Sequence, residues 1–595
     1  MRTLVERKSS TLPELHRSEV TDTTAPSPEP RPGSTVVATL VERLAELGVE
    51  HAFGVSGGSI ALLFDALQES SIELHHFRHE TGAAFAATEA HFASGRPAVV
   101  FATTGPGILN ALTGMTAARW DGAKVVLVSG ATSSPQRGRW ATQETSPYTM
   151  PQDVLYTKGP IFDFAVRIEH SAELPGVLRR LALGLARPGG FVAHVCLPMG
   201  IQAHRIDRGE GGSTVTLSAP AVCPEEVEEC ARLLRRGRFA VWAGFGATGA
   251  APLVRELAER SGAKVFCSPR AKGVIPESHP QYLGVTGLGG HDAVTDYMLQ
   301  ERPERVLVLG SRLGEATSFW DRDLVPSRGF VHVDLDPDVP GAAYPDAETY
   351  AVQAEVGHFL EALLEHFPER PALPGQGQRR PWNEPIPMRL AGREPVRPRV
   401  LMDAVQRRVV QRSDAVVLAE CGNSFAWCNH YLRFNEPGRY RVSTLYGSMG
   451  HAATGVVGAA LARGAKAVAI LGDGSMLMSS ELSSAARYRA RAVWVVLNDA
   501  GYGMCRDGHR ALGLTGREVD FPRADFAALA RAQGADGVTV DREDRLDDAL
   551  DRAMAADGPF VVDVRIDSSE PSPLLRRFES LIRQGNSKNV AGWEA

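Results

Sequence analysis

The stretch that decides the fold runs from Val468 to Met504: V-A-I-L-G-D-G-S-M-L-M-S-S-E-L-S-S-A-A-R-Y-R-A-R-A-V-W-V-V-L-N-D-A-G-Y-G-M. Its apolar opening, residues 468–471, reads as a short buried parallel strand. Gly472, Asp473, Gly474 and Ser475 follow, where two glycines let the backbone turn and approach a ligand closely. A helix is predicted over 481–487, and a second buried strand over 492–497 ends at Asn498. In such a β-α-β unit both strand ends lie on one edge of the sheet. That geometry brings the side-chain oxygens of Asp473 and Asn498 together. A carboxylate and an amide oxygen suit a hard cation such as Mg²⁺, which takes about six oxygens and usually keeps phosphate and water among them. The backbone carbonyl of Ala500 is the expected third protein ligand. A bare G-D-G also occurs as a plain turn; buried strands before both residues favour the metal reading.

The G-D-G and the Asn at this distance resemble the signature of thiamine-diphosphate (ThDP) enzymes. The resemblance implies that diphosphate oxygens and a water complete the Mg²⁺ shell. Upstream, a strand over 415–419 leads into Glu420-Cys421-Gly422-Asn423-Ser424, followed by G-S-M-G-H-A-A-T-G from Gly447. In the family, residues matching Gly422, Asn423 and Ser424 line the diphosphate side. Met449 matches the bulky apolar residue that wedges between the cofactor's two rings. Met449 as core filler is the plainer alternative, but Gly447 and Gly450 flank it as they would flank a ligand-facing residue. His451 stands where acetolactate synthases commonly carry Phe or Tyr, and G-S-M-G-H-A is similar to phosphonopyruvate and sulfopyruvate decarboxylases. After Met504 the chain reads C-R-D-G-H-R-A-L-G, without the Gln-Trp pair usual in acetolactate synthases.

From Ser34 to about Met199, helix, strand and Gly-rich turn alternate, as in a parallel α/β domain. A strand over 51–55 runs into Ser56-Gly57-Gly58, expected to line the cofactor. I-E-L-H-H-F-R-H-E then reads as a strand ending in Glu80, ahead of an alanine-rich helix. On its own, Glu80 is an acid at a helix N-terminus, satisfying free N–H groups and the dipole. R-H-E-T-G-A-A-F-A-A, T-G-P-G-x-x-N and Q-E occur here in the order seen in the acetolactate-synthase-like group of ThDP enzymes. That resemblance implies that Glu80 contacts the cofactor's aminopyrimidine ring and that Gln143 lies near the reacting carbon. Thr142 replaces the family's Phe before that Gln. His75, His76 and His79 alternate along the strand and are read as structural. The His-His pair of ThDP decarboxylases sits elsewhere, in the loop that here reads S-S-P-Q-R-G-R-W.

Residues 226–367 form a second α/β pattern, resembling the acetolactate synthase central domain through R-A-K-G-V-I-P, H-P-x-x-L-G and D-L-D-P. Gly244-Phe245-Gly246-Ala247-Thr248-Gly249 matches G-x-G-x-x-G, which a tight strand-to-helix turn explains as well as a dinucleotide does. Some members of the group bind FAD here. Arg312 is kept, but the second arginine they carry is missing in G-S-R-L-G-E-A, which counts against FAD.

A chain of 595 residues exceeds one core and suggests three or four domains. The expected organisation is a disordered tail (1–33), a pyrimidine-binding domain (34–204), a central domain (226–367), a linker (368–398), a diphosphate-binding domain (399–570) and a C-terminal tail (571–595). Residues 205–225 read as a further linker. The fold class is α/β, three doubly wound parallel-sheet domains. A net charge of −6 without basic runs leaves no nucleic-acid footprint, and no apolar stretch is long enough for a membrane. The seven cysteines, scattered without C-x-x-C, fit free thiols in a reducing compartment. The N-terminal residues lack a secretory core, and their acids argue against a transit peptide, so a cytoplasmic location is expected.

The resemblance implies a homodimer or dimer of dimers, with Glu80 from one chain and Asp473 and Asn498 from another. It implies a ThDP- and Mg²⁺-dependent carboligase that decarboxylates a 2-oxo acid and joins it to a second carbonyl compound. A decarboxylase releasing an aldehyde is the alternative. A catalytically silent binding protein on the same fold would be expected to have lost Glu80 or a metal ligand, and all three residues are present.

Overall fold

Three six-stranded parallel sheets follow one another along the chain. The computed structural model describes residues 34–206, 221–368, 392–478, 480–514, 518–574, 577–578 and 580. The tail at 1–33, most of both linkers and most of 571–595 lie outside the described residues. Sheet 1 contains β1 (His51–Gly54), β2 (Glu73–His76), β3 (Ala98–Ala102), β4 (Lys124–Ala131), β5 (Phe164–Arg167) and β6 (Phe191–Pro198), in the order β2-β1-β3-β4-β6-β5. Sheet 2 contains β7 (Phe239–Ala243), β8 (Lys264–Cys267), β9 (Tyr282–Val285), β10 (Arg305–Leu309), β11 (Phe330–Asp334) and β12 (Thr349–Gln353), ordered β12-β11-β10-β7-β8-β9. Sheet 3 contains β13 (Val416–Ala419), β14 (Tyr440–Val442), β15 (Ala467–Gly472), β16 (Ala492–Asn498), β17 (Asp536–Val540) and β18 (Phe560–Arg565), ordered β14-β13-β15-β16-β18-β17.

Sheets 1 and 3 therefore share one topology, while sheet 2 has the doubly wound order of dinucleotide-binding domains. Central strands such as β3 and β16 are buried along their whole length, as parallel strands covered on both faces must be. One apolar core runs from sheet 1 into sheet 3, taking in Phe53, Met115, Val456 and Trp494. It is closed by two helices that cross, Glu80–Ser94 and His451–Arg463. The crossing is tight because glycines face it: a Cβ on Gly458 would lie 2.0 Å from the Ala86 carbonyl. The two helices start at Glu80 and just after Met449, so their packing fixes where those two side chains stand.

Two local expectations need correction. The helix after the G-D-G begins at Asp473 itself (Asp473–Met478), and a second runs Leu482–Arg487. Neither Gly472 nor Gly474 takes a positive φ. Gly474 is required by space instead, since a Cβ there would sit 2.8 Å from Tyr502 Cε1. The strand before Glu80 stops at His76, and Glu80 is the first residue of its helix.

Candidate active site

Sheet 3 carries the candidate metal arm. In its register Gly472 pairs with Leu497, so Asp473 and Asn498 follow side by side at the ends of adjacent strands. Both are buried. Asp473 Oδ1 accepts from its neighbour Gly474 N (2.8 Å), and Oδ2 accepts from Ala500 N (2.7 Å) and Gly501 N (3.3 Å). Burial, then the charge of Asp499, pushes the Asp473 carboxyl up to about 7, against the pull of those amides. A cation bound beside it would bring that pKa back down. Asn498 Nδ2 donates to Asp563 Oδ1 at 2.7 Å and to the Ala524 carbonyl at 3.0 Å. Its Oδ1 is left buried without a partner. An orphaned amide oxygen beside a buried carboxylate fits a hard cation with oxygen ligands. Ala500 has a left-handed φ of 58°, and its carbonyl already accepts from Phe521 N at 3.0 Å, which leaves one lone pair.

Next to this edge, Gly422 (φ 92°) and Gly447 (φ 60°) are left-handed, and a Cβ on either would meet open space. Asn423 Nδ2 donates to Asp507 Oδ2 at 2.9 Å, while its Oδ1 is buried and unpartnered. Ser424 turns away, donating to the Glu420 carbonyl at 3.0 Å. Ser475 is buried in the first turn after Asp473. Met449 is half-buried, and its Cε would be 3.4 Å from a Cβ on Gly474. Glu420 holds that turn: Oε2 accepts from the N–H groups of Gly450 (3.1 Å), Ala452 (3.1 Å) and Ala453 (3.2 Å). Burial raises the Glu420 pKa against these amides.

The matching edge of sheet 1 holds the other expected residues. Glu80 is buried, and its carboxylate accepts from Asn110 Nδ2 at 3.1 Å rather than from its own helix. His79 takes the capping role, accepting from Thr81 N. Gly107 lies against Glu80 Oε1, and Gly105 in the same turn lies against Gln143. Gln143 has a left-handed φ of 56°, and its Oε1 accepts from Thr104 Oγ1 at 3.2 Å. Gln143, Trp140, Leu109 and Met150 border a cavity of about 380 Å³. Ser56 Oγ is 2.9 Å from His76 Nε2, Gly57 packs on the Thr103 methyl, and Gly58 is open. Glu481 reaches across from the sheet 3 side, accepting from Arg78 N and His79 N at 3.1 Å each.

Three family profiles cover this architecture. The N-terminal thiamine pyrophosphate (TPP) binding domain matches residues 34–150, the central domain 227–363 and the C-terminal TPP binding domain 420–564. The chain belongs to the thiamine pyrophosphate enzyme family. Among its relatives is a putative thiamine pyrophosphate-containing protein, YdaP, of Bacillus subtilis, 28% identical over 91% of this chain and 93% of that protein. The large subunit of acetolactate synthase isozyme 2 of Escherichia coli is 28% identical over 89% of this chain and 95% of its own length. The acetolactate synthase of Bacillus subtilis is 28% identical over 89% and 93% respectively.

Within this TPP enzyme, His451 is not aimed at the cofactor edge. Its Nε2 bonds Glu89 at 2.8 Å on the crossing helix, and its ring packs on Phe85. Arg441 completes the buried group, donating to Glu89 at 3.1 and 3.3 Å and lying 3.7 Å over Phe92. Sheet 2 joins through Arg270, which stacks 3.9 Å over Phe245 and pairs with Asp121 at 3.7 Å. Burial raises the Glu89 pKa, but Arg441 and His451 outweigh it and hold the group at about 2. Burial lowers His451, but Glu89 outweighs it and the net direction is up. These partners lie hundreds of residues apart, so no local pattern announces them.

The glycine turn of sheet 2 is committed within the protein. Gly246 N donates to the Gly310 carbonyl at 3.0 Å, and a Cβ on Gly244 would strike that same carbonyl at 2.2 Å. Arg312 donates to the Trp120 carbonyl at 2.8 Å.

Proposed function

We propose that this TPP enzyme is an acetolactate-synthase-like carboligase, which decarboxylates a 2-oxo acid and joins the remaining acyl unit to a second carbonyl compound. ThDP supplies the nucleophilic carbon and the electron sink when bound. Asp473, Asn498 and the Ala500 carbonyl would hold Mg²⁺ against its diphosphate, with Gly422, Asn423 and Ser475 alongside. Met449, fixed through Glu420, would set the shape of the cofactor pocket. Glu80 holds a carboxylate ready to exchange a proton with the aminopyrimidine, and Asn110 orients that carboxylate. Gln143, held in an uncommon backbone conformation of the kind that collects at functional sites, would orient the substrate.

The observation that carries carboligation over simple decarboxylation is the cavity beside Gln143. Among the described residues, no histidine or lysine borders it. Its one acid, Glu144, has its carboxylate tied to Gly138 N at 2.6 Å and Ala141 N at 3.1 Å. The described lining on this chain's side thus offers no ready proton donor, which favours reaction with a second carbonyl. The acetolactate synthases among the relatives support the same reading. His451, the residue that pointed towards decarboxylases, is occupied by Glu89. We further propose a homodimer or a dimer of dimers in the cytoplasm. That location rests on seven unpaired cysteines, and no helix of the described residues is long and apolar enough to cross a membrane. The test is ¹³C-labelled pyruvate, or a longer 2-oxo acid, supplied with and without a carbonyl acceptor and followed by NMR. A new carbon–carbon bond is expected. Aldehyde released at one rate whatever the acceptor overturns the proposal.

A further inference from the structure

Away from that site, the first two strands of sheet 1 bring two imidazoles and a carboxylate together. In the register His51 pairs with Glu73, and Phe53 pairs with His75. Residues two apart on a strand share a face, so His51, Glu73 and His75 meet on one side of the sheet edge. His51 Nδ1 lies 3.1 Å from His75 Nε2. Glu73 Oε2 is 3.7 Å from the first nitrogen and 3.9 Å from the second. We propose that His51, His75 and Glu73 bind one divalent transition-metal ion, with Zn²⁺ the best fit.

Tetrahedral Zn²⁺ holds nitrogen and oxygen donors at about 2.0–2.2 Å, which puts any two donors about 3.3 Å apart. The imidazole pair already has that spacing. Glu73, whose side chain is 70% exposed, needs to swing by only about half an ångström to reach it. His75 cannot drift, because Phe53 stacks on it at 4.9 Å and Tyr488 meets it edge-on at 5.0 Å. Both rings are buried, and burial lowers the pKa of each, His75 to about 3. They are therefore neutral, the form that ligates metal. Two imidazoles and a glutamate leave the fourth position to water on the exposed side. A simple His–His hydrogen bond accounts for the ring contact but gives Glu73 no place in it. The bound ion would clamp edge strand β2 to β1. That strand also matters downstream: the His76 N–H donates to Tyr488 Oη at 2.6 Å, and Glu80 follows shortly after.

The experiment uses the full chain without an affinity tag, saturated with ThDP and Mg²⁺ so that the Asp473 edge is taken. Zn²⁺ is titrated calorimetrically, and Co²⁺ is followed by its visible d–d bands. One ion per chain is expected, with tetrahedral Co²⁺ bands and a Zn²⁺-dependent rise in melting temperature. Glu73→Gln, at an exposed position that carries no folding burden, should lose at least the roughly tenfold in affinity that even an outer-sphere partner contributes. His51→Gln should abolish the Co²⁺ bands. Equal affinity and stoichiometry in wild type and Glu73→Gln, or no ion bound by wild type, overturns the site.

Discussion

Replacing Glu89 by Gln tests whether the buried ion group holds the two crossing helices together. The substitution keeps the volume, so the tight approach of Gly455, where a Cβ would be 2.7 Å from Glu89 Cγ, is undisturbed. What it removes is the charge that answers Arg441 and His451. Leaving a buried cation without its partner costs about 3–5 kcal/mol. The carboxyl's own displacement gives a second figure. Held at about 2 instead of the usual 4.5, it contributes about 3 kcal/mol at 1.36 kcal/mol per unit. Because this pKa is lowered, the contribution is fully present above pH 4.5 and is lost as the pH falls through about 2. Urea unfolding of wild type and Glu89→Gln at pH 7 should show the variant's midpoint moved down by the equivalent of about 3 kcal/mol. The gap should narrow as the pH is lowered from 5 towards 2, on the order expected from the linkage relation. Hydrogen exchange in Glu80–Ser94 and His451–Arg463 should rise together. Equal midpoints at pH 7 would mean that Arg441 needs no buried anion and that this ion group does not hold the helices.

Glu80→Gln should leave folding and ThDP binding close to wild type while turnover falls by on the order of 10²–10⁴; full activity would remove Glu80 from the mechanism. Asp563→Ala frees the amide of Asn498, whose Nδ2 it now accepts. Its Mg²⁺ affinity, read from ThDP retention against Mg²⁺ concentration, should drop by about 10–100-fold, and an unchanged curve would show that Asn498 needs no such hold. Asp473→Ala and Glu80→Gln chains, inactive separately, should recover activity on subunit exchange, since one mixed site would regain both residues. No recovery despite proven exchange would exclude a site shared between chains.

The fold was legible because its strands are apolar runs broken by glycine turns, as at β15 and β16. Their register then puts Asp473 beside Asn498, as the strand lengths alone require. The bounds of the short helices were less legible. Asp473–Met478 starts inside the G-D-G, where crowding by Tyr502 rather than a left-handed turn calls for the glycine at 474. Supporting residues left no trace. Glu420 is an ordinary acid in sequence and becomes the cap of the Met449 turn only in three dimensions. Glu481, Asp563 and the Glu89–Arg441 pair act across gaps of tens to hundreds of residues. His451 departs from the Phe or Tyr of acetolactate synthases, and its position at a helix start, which sends its side chain to Glu89, cannot be read from its neighbours.

On this proposal ThDP seats where the edges of sheets 1 and 3 carry these groups, held through a cation on Asp473 and Asn498. Calorimetric titration of the purified full chain with ThDP, with Mg²⁺ and then with EDTA, measures this directly. One ThDP per chain is expected with Mg²⁺, with loss of binding with EDTA or in Asp473→Ala and retained binding in Glu80→Gln. Equal ThDP affinity in wild type and Asp473→Ala, or no ThDP bound in the presence of Mg²⁺, would contradict it.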